Sequence, residues 1–345
     1  MQNGSVKSAD RFFFLDVIRF LAIFYVTGFH AARFIGFDNL QSFSRIFKNM
    51  FISGGWLGCC LFFFLSGYCL CINYNEKTKY FDFIRHRLIK ILPAYYAAIV
   101  VWYFLVKMGI AVKPVDLSAV LSHVFLVHTF SDANFYSVSG VFWFLGVLFN
   151  FYLLFPFLYK MKTKKYLLEI STIIIFTLSV FIAAYFHIKS SVFTKSVLIN
   201  LPCFVFGIIL YKNKIPDFFY NRCTKGILLA AMLVLLVFTK NTKFLNTPIQ
   251  MLAITESCMI GFLCVLYKNE LEKLHVLIKN FIVQIALASY SIYLYNYIFY
   301  ATNPIGKGAA YIYIYIYIVF GFGICMYLTI EKPLNNLIKN FKRIK

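Results

Sequence analysis

Asp16, Arg19 and His30 are three ionisable residues inside one long apolar run of this chain, and their spacing suits acid-base and anion-binding chemistry. At about 100° per residue, Arg19 and His30 fall roughly 20° apart around a helix, and Asp16 lies within about 60° of both. One stripe carries all three. An ionisable group inside a bilayer costs a few kcal/mol at least, so such residues face a bundle interior or an aqueous cavity and point to function. Histidine, with an ordinary pKa of about 6.5, offers a neutral imidazole as a general base near neutrality. The bland alternative is an Asp16–Arg19 structural pair beside a packed histidine.

The elements that hold such a stripe must be membrane helices. Of 345 residues, 61% are hydrophobic and 14% charged, too apolar for a soluble globule, whose apolar share is about half. A span needs about 20 largely apolar residues, and ten such runs are predicted, at 12–34, 51–74, 89–108, 139–159, 166–188, 194–211, 226–239, 248–267, 281–301 and 309–330. The seventh is the shortest. A β-barrel would show segments of about ten alternating residues, so helices remain the spanning solution. The expected fold is an all-α, multi-pass membrane protein forming one membrane-embedded domain over 1–345.

The formal charge of +21 follows topology. With the amino terminus inside, the inner segments carry more than twice as many Lys and Arg as the outer loops, which places both termini in the cytoplasm; the expected location is the cell (inner or plasma) membrane. The basic excess suits anionic lipid, not nucleic acid. Residues 1–10 do not read as a signal peptide, because the following apolar run is too long and carries charges. The nine cysteines lie mainly within predicted spans, without zinc-finger spacing, and read as buried reduced thiols.

Between spans, the most basic inner segment runs from Ile72 to Lys90 before Pro93 opens the third span. It reads as a stop-transfer flank or as a polyanion clamp, since arginine forks match phosphate geometry. In the outer loop 113–137, His123, His128 and Asp132 could suggest a metal, but histidines five apart do not share a helix face. No metal is expected. The alternating Tyr311–Ile318 run lies inside a 22-residue apolar stretch and reads as helix. The tail 331–345 has the pattern of a surface-lying amphipathic helix.

Taken in order, these landmarks resemble the acyltransferase-3 family of integral membrane acyltransferases, which modify surface carbohydrates. Leu15-Asp16-Val-Ile-Arg19…His30 is similar to that family's opening motif, and Phe62-Phe-Phe-Leu-Ser66-Gly67-Tyr68 to the close of its second helix. Arg85-His-Arg87-Leu-Ile-Lys90-Ile-Leu-Pro93, then Trp143-Phe-Leu-Gly146, Tyr290-Ser291-Ile-Tyr293-Leu-Tyr295 and Glu331-Lys332-Pro333 resemble later landmarks. The resemblance implies an acyl-CoA donor, most often acetyl-CoA, from the cytoplasm, and a hydroxyl of a carbohydrate or lipid-linked glycan as acceptor. It implies a catalytic set of His30, Arg19 and Asp16, with Arg19, Arg85, Arg87 and Lys90 holding the donor's anionic head. Ser66, Tyr68, Trp143, Tyr290, Ser291 and Asn296 would line the pocket or pack helices. Three departures stand out: Lys90 where a second arginine is usual, Leu148 in place of a glutamate, and Asn296 in place of a histidine.

Two other readings fit the same helices. In one, the buried charges line the passage of a carrier or flippase for a glycan or lipid-linked sugar, although the chain shows no internal repeat of the transporter kind. In the other, the transferred group is succinyl or another acyl.

Overall fold

In hydrocarbon every backbone N–H and C=O must find its partner within the segment, and runs of this length resolve as helices. The computed structural model describes residues 11–34, 51, 54–109, 115–161, 163–164, 166–238, 246–298 and 309–343, among which there is no strand. Eight helical segments among them are long and apolar enough to span a membrane. The other two expected runs also form helices, Arg222–Phe238 and Asn246–Leu266.

Helix α1 (Phe13–Phe34) leads to α2 (Gly54–Asn73), which sits at the centre of the bundle. Around it follow α3 (Tyr80–Lys107), the short α4 (Leu117–Val124), α5 (Trp143–Met161), α6 (Leu167–Tyr185) and α7 (Val197–Lys212). Next come α8 (Arg222–Phe238), α9 (Asn246–Leu266), α10 (Val276–Tyr295), α11 (Ala309–Met326) and α12 (Lys332–Arg343). α2 packs most closely against α7, α1 and α9, and α1 also packs on α10. On α6, Ile170, Ile173, Leu178 and Phe181 are exposed, an apolar face suited to lipid.

Glycine sets the closest approach. A Cβ at Gly67 would stand 2.0 Å from the Phe204 carbonyl oxygen, and one at Gly207 would stand 2.2 Å from that of Phe64. The backbones of α2 and α7 therefore meet with no side chain between them, the small-residue packing by which membrane helices associate. Gly67→Val is expected to cost about 3 kcal/mol or more as overpacking against a backbone that cannot yield, read as loss of monodisperse protein on detergent size-exclusion. Gly226→Ala, with nothing within 4 Å, should leave the profile unchanged.

Two expectations need correction. The third span does not open at Pro93: α3 begins at Tyr80, with Pro93 inside it. The basic composition of 72–90 hid this start, and Arg85, Arg87 and Lys90 stand on a helix, not in a loop. Second, Cys223 and Cys325 are exposed, not buried. The outer-loop trio does not converge. The His123 and His128 rings stack 3.9 Å apart at 14°, while Asp132 turns away to accept a hydrogen bond from Val192 N at 3.1 Å. The helical readings of Tyr311–Ile318 and of the tail hold, as α11 and α12.

The stacked pair ties the outer loop to α3. Ser137 Oγ donates to Asn134 O at 2.9 Å, which leaves it to accept from His123 Nε2 at 3.2 Å, while Tyr95 OH meets Nδ1 at 2.9 Å. His128 Nε2 donates to Phe142 O at 3.1 Å. Burial pushes His123 down to about 2, helped by the neighbouring His128, and burial likewise pushes His128 down to about 4. Both imidazoles stay neutral in the fold but take up protons in the unfolded chain below about pH 6.5. Stability from this pair is therefore full above about pH 6.5 and falls as the pH drops towards 4, by up to about 1.4 kcal/mol per pH unit for each ring. A His123→Gln/His128→Gln chain should show a flatter dependence of its thermal midpoint between pH 6.5 and 4.

Candidate active site

α1 is unbroken from Phe13 to Phe34, so eleven residues separate Arg19 from His30 by roughly 16 Å along the axis. The two ends of the stripe gather different neighbours.

At the Arg19 end, Asp16 is 1% exposed and accepts from two guanidiniums, Arg11 Nε at 2.6 Å and Arg19 Nη1 at 2.9 Å. Arg19 Nη2 reaches across to Cys69 Sγ on α2, at 3.6 Å. Arg87 and Lys90, about 60° apart on α3, act electrostatically on the same thiol, as do Arg19 and Asp16. Lys90 remains accessible although Arg87, Arg19 and Glu331 all act on it. Arg87 Nε is buried and makes no hydrogen bond, which leaves a donor facing no acceptor of the chain. Arg85 is not part of this group: it stands about 200° around α3 from Arg87 and is exposed.

Two further residues complete this end. The last span does not close as a plain α-helix but as a π-helical turn, Tyr327–Glu331, a distortion that recurs at functional positions. The turn brings Glu331 to Ser291, whose hydroxyl donates to Oε2 at 2.6 Å. Beside it Tyr290 OH donates to Ile91 O at 2.8 Å, joining α10 to α3 one residue beyond Lys90. Four cations, Arg11, Arg19, Arg87 and Lys90, thus face two carboxylates, Asp16 and Glu331. The excess is positive, a setting for a polyanion. Cys69 and Glu331 were absent from the sequence-predicted site. Nothing in its sequence marks Cys69, whereas Glu331 could have been found as a carboxylate ending the last apolar run.

At the His30 end the surroundings are aromatic. The His30 ring meets Tyr297 edge-on, with centroids 5.7 Å apart, and Tyr297 lies 5.9 Å from Trp102. A Cβ at Gly140 would fall 2.8 Å from Tyr297 Cζ, so the turn before α5 presses against that ring. Trp143 packs 5.6 Å from Trp56, and the Lys195 ammonium sits 5.0 and 5.1 Å from these two rings and 4.4 Å from Tyr136, each contact worth about 0.5–2 kcal/mol. Asn296 is fully buried, its Nδ2 donating to Tyr293 O at 2.5 Å.

The other expected pocket residues divide. Ser66 donates to Phe62 O of its own helix at 2.7 Å, and Tyr68 packs edge-on to Phe14 at 5.7 Å and Tyr211 at 5.4 Å, so both serve helix packing. Asp16 lies fourteen residues from His30, roughly 21 Å along α1, and acts on the two arginines instead. Among the described residues no group of three or more His, Cys, Asp or Glu could hold a metal ion.

One long helix thus joins a cation cluster to a histidine, which can hold an anionic head at one end and exchange a proton at the other. Neither a curated protein nor a solved structure gives a significant match. Residues 12–330, nearly the whole chain, match the acyltransferase domain of the acyltransferase-3 family. The chain belongs to that family and carries its membrane acyltransferase domain.

Proposed function

We propose that this protein transfers an acetyl group from cytoplasmic acetyl-CoA to a hydroxyl of a cell-surface carbohydrate or its lipid-linked precursor, within the cell membrane. The observation that carries this reading is the contact of Arg19, on the same helix as His30, with Cys69, a thiol that also lies within electrostatic reach of Arg87 and Lys90. The cations hold the donor's phosphates, and the thin pantetheine arm spans the roughly 16 Å along α1 to bring the thioester to His30. His30 takes the proton of the acceptor hydroxyl as it attacks the carbonyl carbon. Asp16 anchors Arg19. Transfer is direct, with the acceptor hydroxyl itself as the nucleophile. In this orientation both chain termini face the cytoplasm, as the distribution of Lys and Arg favours.

Sidedness provides the test. In sealed inside-out membrane vesicles, acetyl-CoA labelled in its acetyl group and added outside should yield alkali-labile label on glycan inside. Label that appears only in right-side-out vesicles would contradict the orientation, and labelled succinyl-CoA serving in place of acetyl-CoA would change the acyl group.

A further inference from the structure

Three polar side chains on the elements that meet at Tyr297 are buried, and each holds an atom without a hydrogen bond. Trp102 is 2% exposed, Ser139 1% and Asn296 0%, and the atoms are the Trp102 indole Nε1, Ser139 Oγ and Asn296 Oδ1. They come from three parts of the chain. Trp102 stands on α3, 5.9 Å from Tyr297. Ser139 precedes Gly140, whose Cβ position abuts the Tyr297 ring, and Asn296 precedes Tyr297 itself. Tyr293 OH, donating to Val141 O at 2.5 Å, fastens the end of α10 to the 139–142 turn. The fourth neighbour of Tyr297 is His30.

Buried polar groups in folded proteins are almost all paired, and each exception calls for an explanation. Three exceptions on the elements that meet at Tyr297, whose ring packs on His30, share one explanation. Their chemistry is also complementary: an indole N–H can only donate, an amide oxygen can only accept, and a hydroxyl does both. A group that offers both an acceptor oxygen and a hydroxyl satisfies the set.

We propose that Trp102, Ser139 and Asn296 form the hydrogen-bonding wall of the transfer site, with the Trp102 N–H directed at the carbonyl oxygen of the acyl group and Asn296 Oδ1 accepting from a hydroxyl of the acceptor. The inference rests on the acyl-transfer reading above. In the step, the acceptor oxygen bonds to the thioester carbonyl carbon, its proton passes to His30, and the carbonyl electron pair moves onto oxygen. As the carbonyl reforms, the carbon–sulfur bond breaks and its electron pair leaves with the coenzyme A sulfur, which takes the proton back from His30. Negative charge develops on the carbonyl oxygen only in this step, so a donor aimed there raises turnover without tightening donor binding.

The test replaces Trp102 in the full chain with β-(3-benzothienyl)alanine, which keeps the shape and removes the N–H. Acetate released by mild base from the surface glycans of expressing cells is measured at matched abundance, with binding of labelled acetyl-CoA to the purified chain and the thermal midpoint measured in parallel. The expected result is transfer lowered about 10²–10³-fold, with donor affinity and midpoint unchanged, because no hydrogen bond of the free protein is lost. Gly140→Ala is the second variant. Its methyl would stand 2.8 Å from Tyr297 Cζ, so that ring must shift from its present contacts, and transfer at matched abundance should fall.

Full transfer by both variants, with His30→Ala inactive, would show that the wall is only packing and overturn the proposal. Transfer retained by His30→Ala would fail the underlying reading first, and the proposal with it.

Discussion

His30→Ala should lower acyl transfer by about 10²–10⁴-fold, the range that general-base help supplies, while leaving acetyl-CoA binding close to that of the parent. The separation of the two ends is what makes this result specific. Arg19, Asp16, Arg87, Lys90 and Glu331 form their own network at the other end of α1, and His30 contributes to none of it. A variant that binds donor and does not turn it over is the signature of a group needed in the chemical step. The parallel measurement is labelled acetyl-CoA binding to the purified chain beside transfer in membranes. His30→Gln should behave as His30→Ala does, because it restores polarity without a base. If the buried charges served a carrier instead, removing the imidazole would leave transport partly intact and no acyl-CoA would be needed.

Arg87→Gln should have the opposite signature. A hydrogen bond to a charged group is worth about 1.5–3 kcal/mol, so losing the guanidinium is expected to weaken acetyl-CoA binding on the order of 10- to 100-fold, with turnover at saturating donor little changed. Arg87 Nε already stands buried without an acceptor, so the native chain carries that donor unpaired and a phosphate oxygen would complete it. Lys90→Gln should weaken binding as well. Lys90→Arg should restore it and tighten it further, because the planar fork grips phosphate in two places where an ammonium offers a point charge. Raising ionic strength should weaken the donor's hold on accessible Lys90 more than on enclosed Arg87. Arg85→Gln, on the outer side of α3, should change none of these quantities.

The two ends of the site were not equally legible in the sequence. The Asp16, Arg19 and His30 stripe could be read because it lies on a single helix, where spacing alone fixes the angle between residues. Arg87 and Lys90 were legible as a basic pair, but their placement in a loop was wrong, since the charges of 72–90 outweighed the helical period that starts at Tyr80. Glu331, Cys69, Tyr297 and Trp102 enter the site through contacts between helices. In a membrane bundle such contacts leave little periodic trace, because lipid-facing and core-facing positions are both apolar. The π-turn at Tyr327–Glu331 is a backbone distortion, and hydropathy cannot report it. Gly67 and Gly207 illustrate the same limit: two glycines far apart in the chain meet only because α2 and α7 are neighbours. Spacing argued against His123 and His128 as metal ligands, but their stacking as a buried, neutral clasp depends on the fold of the loop between them and was not legible.

The most direct measurement is mass spectrometry of surface glycans from three sets of cells: those lacking the protein, those carrying it, and those carrying His30→Ala at matched membrane abundance. A base-labile substituent of acetyl mass, present only with the unaltered chain, is the expected result. Glycans that differ in amount but not in acylation, or an alanine variant that still acylates, would contradict catalysis at His30.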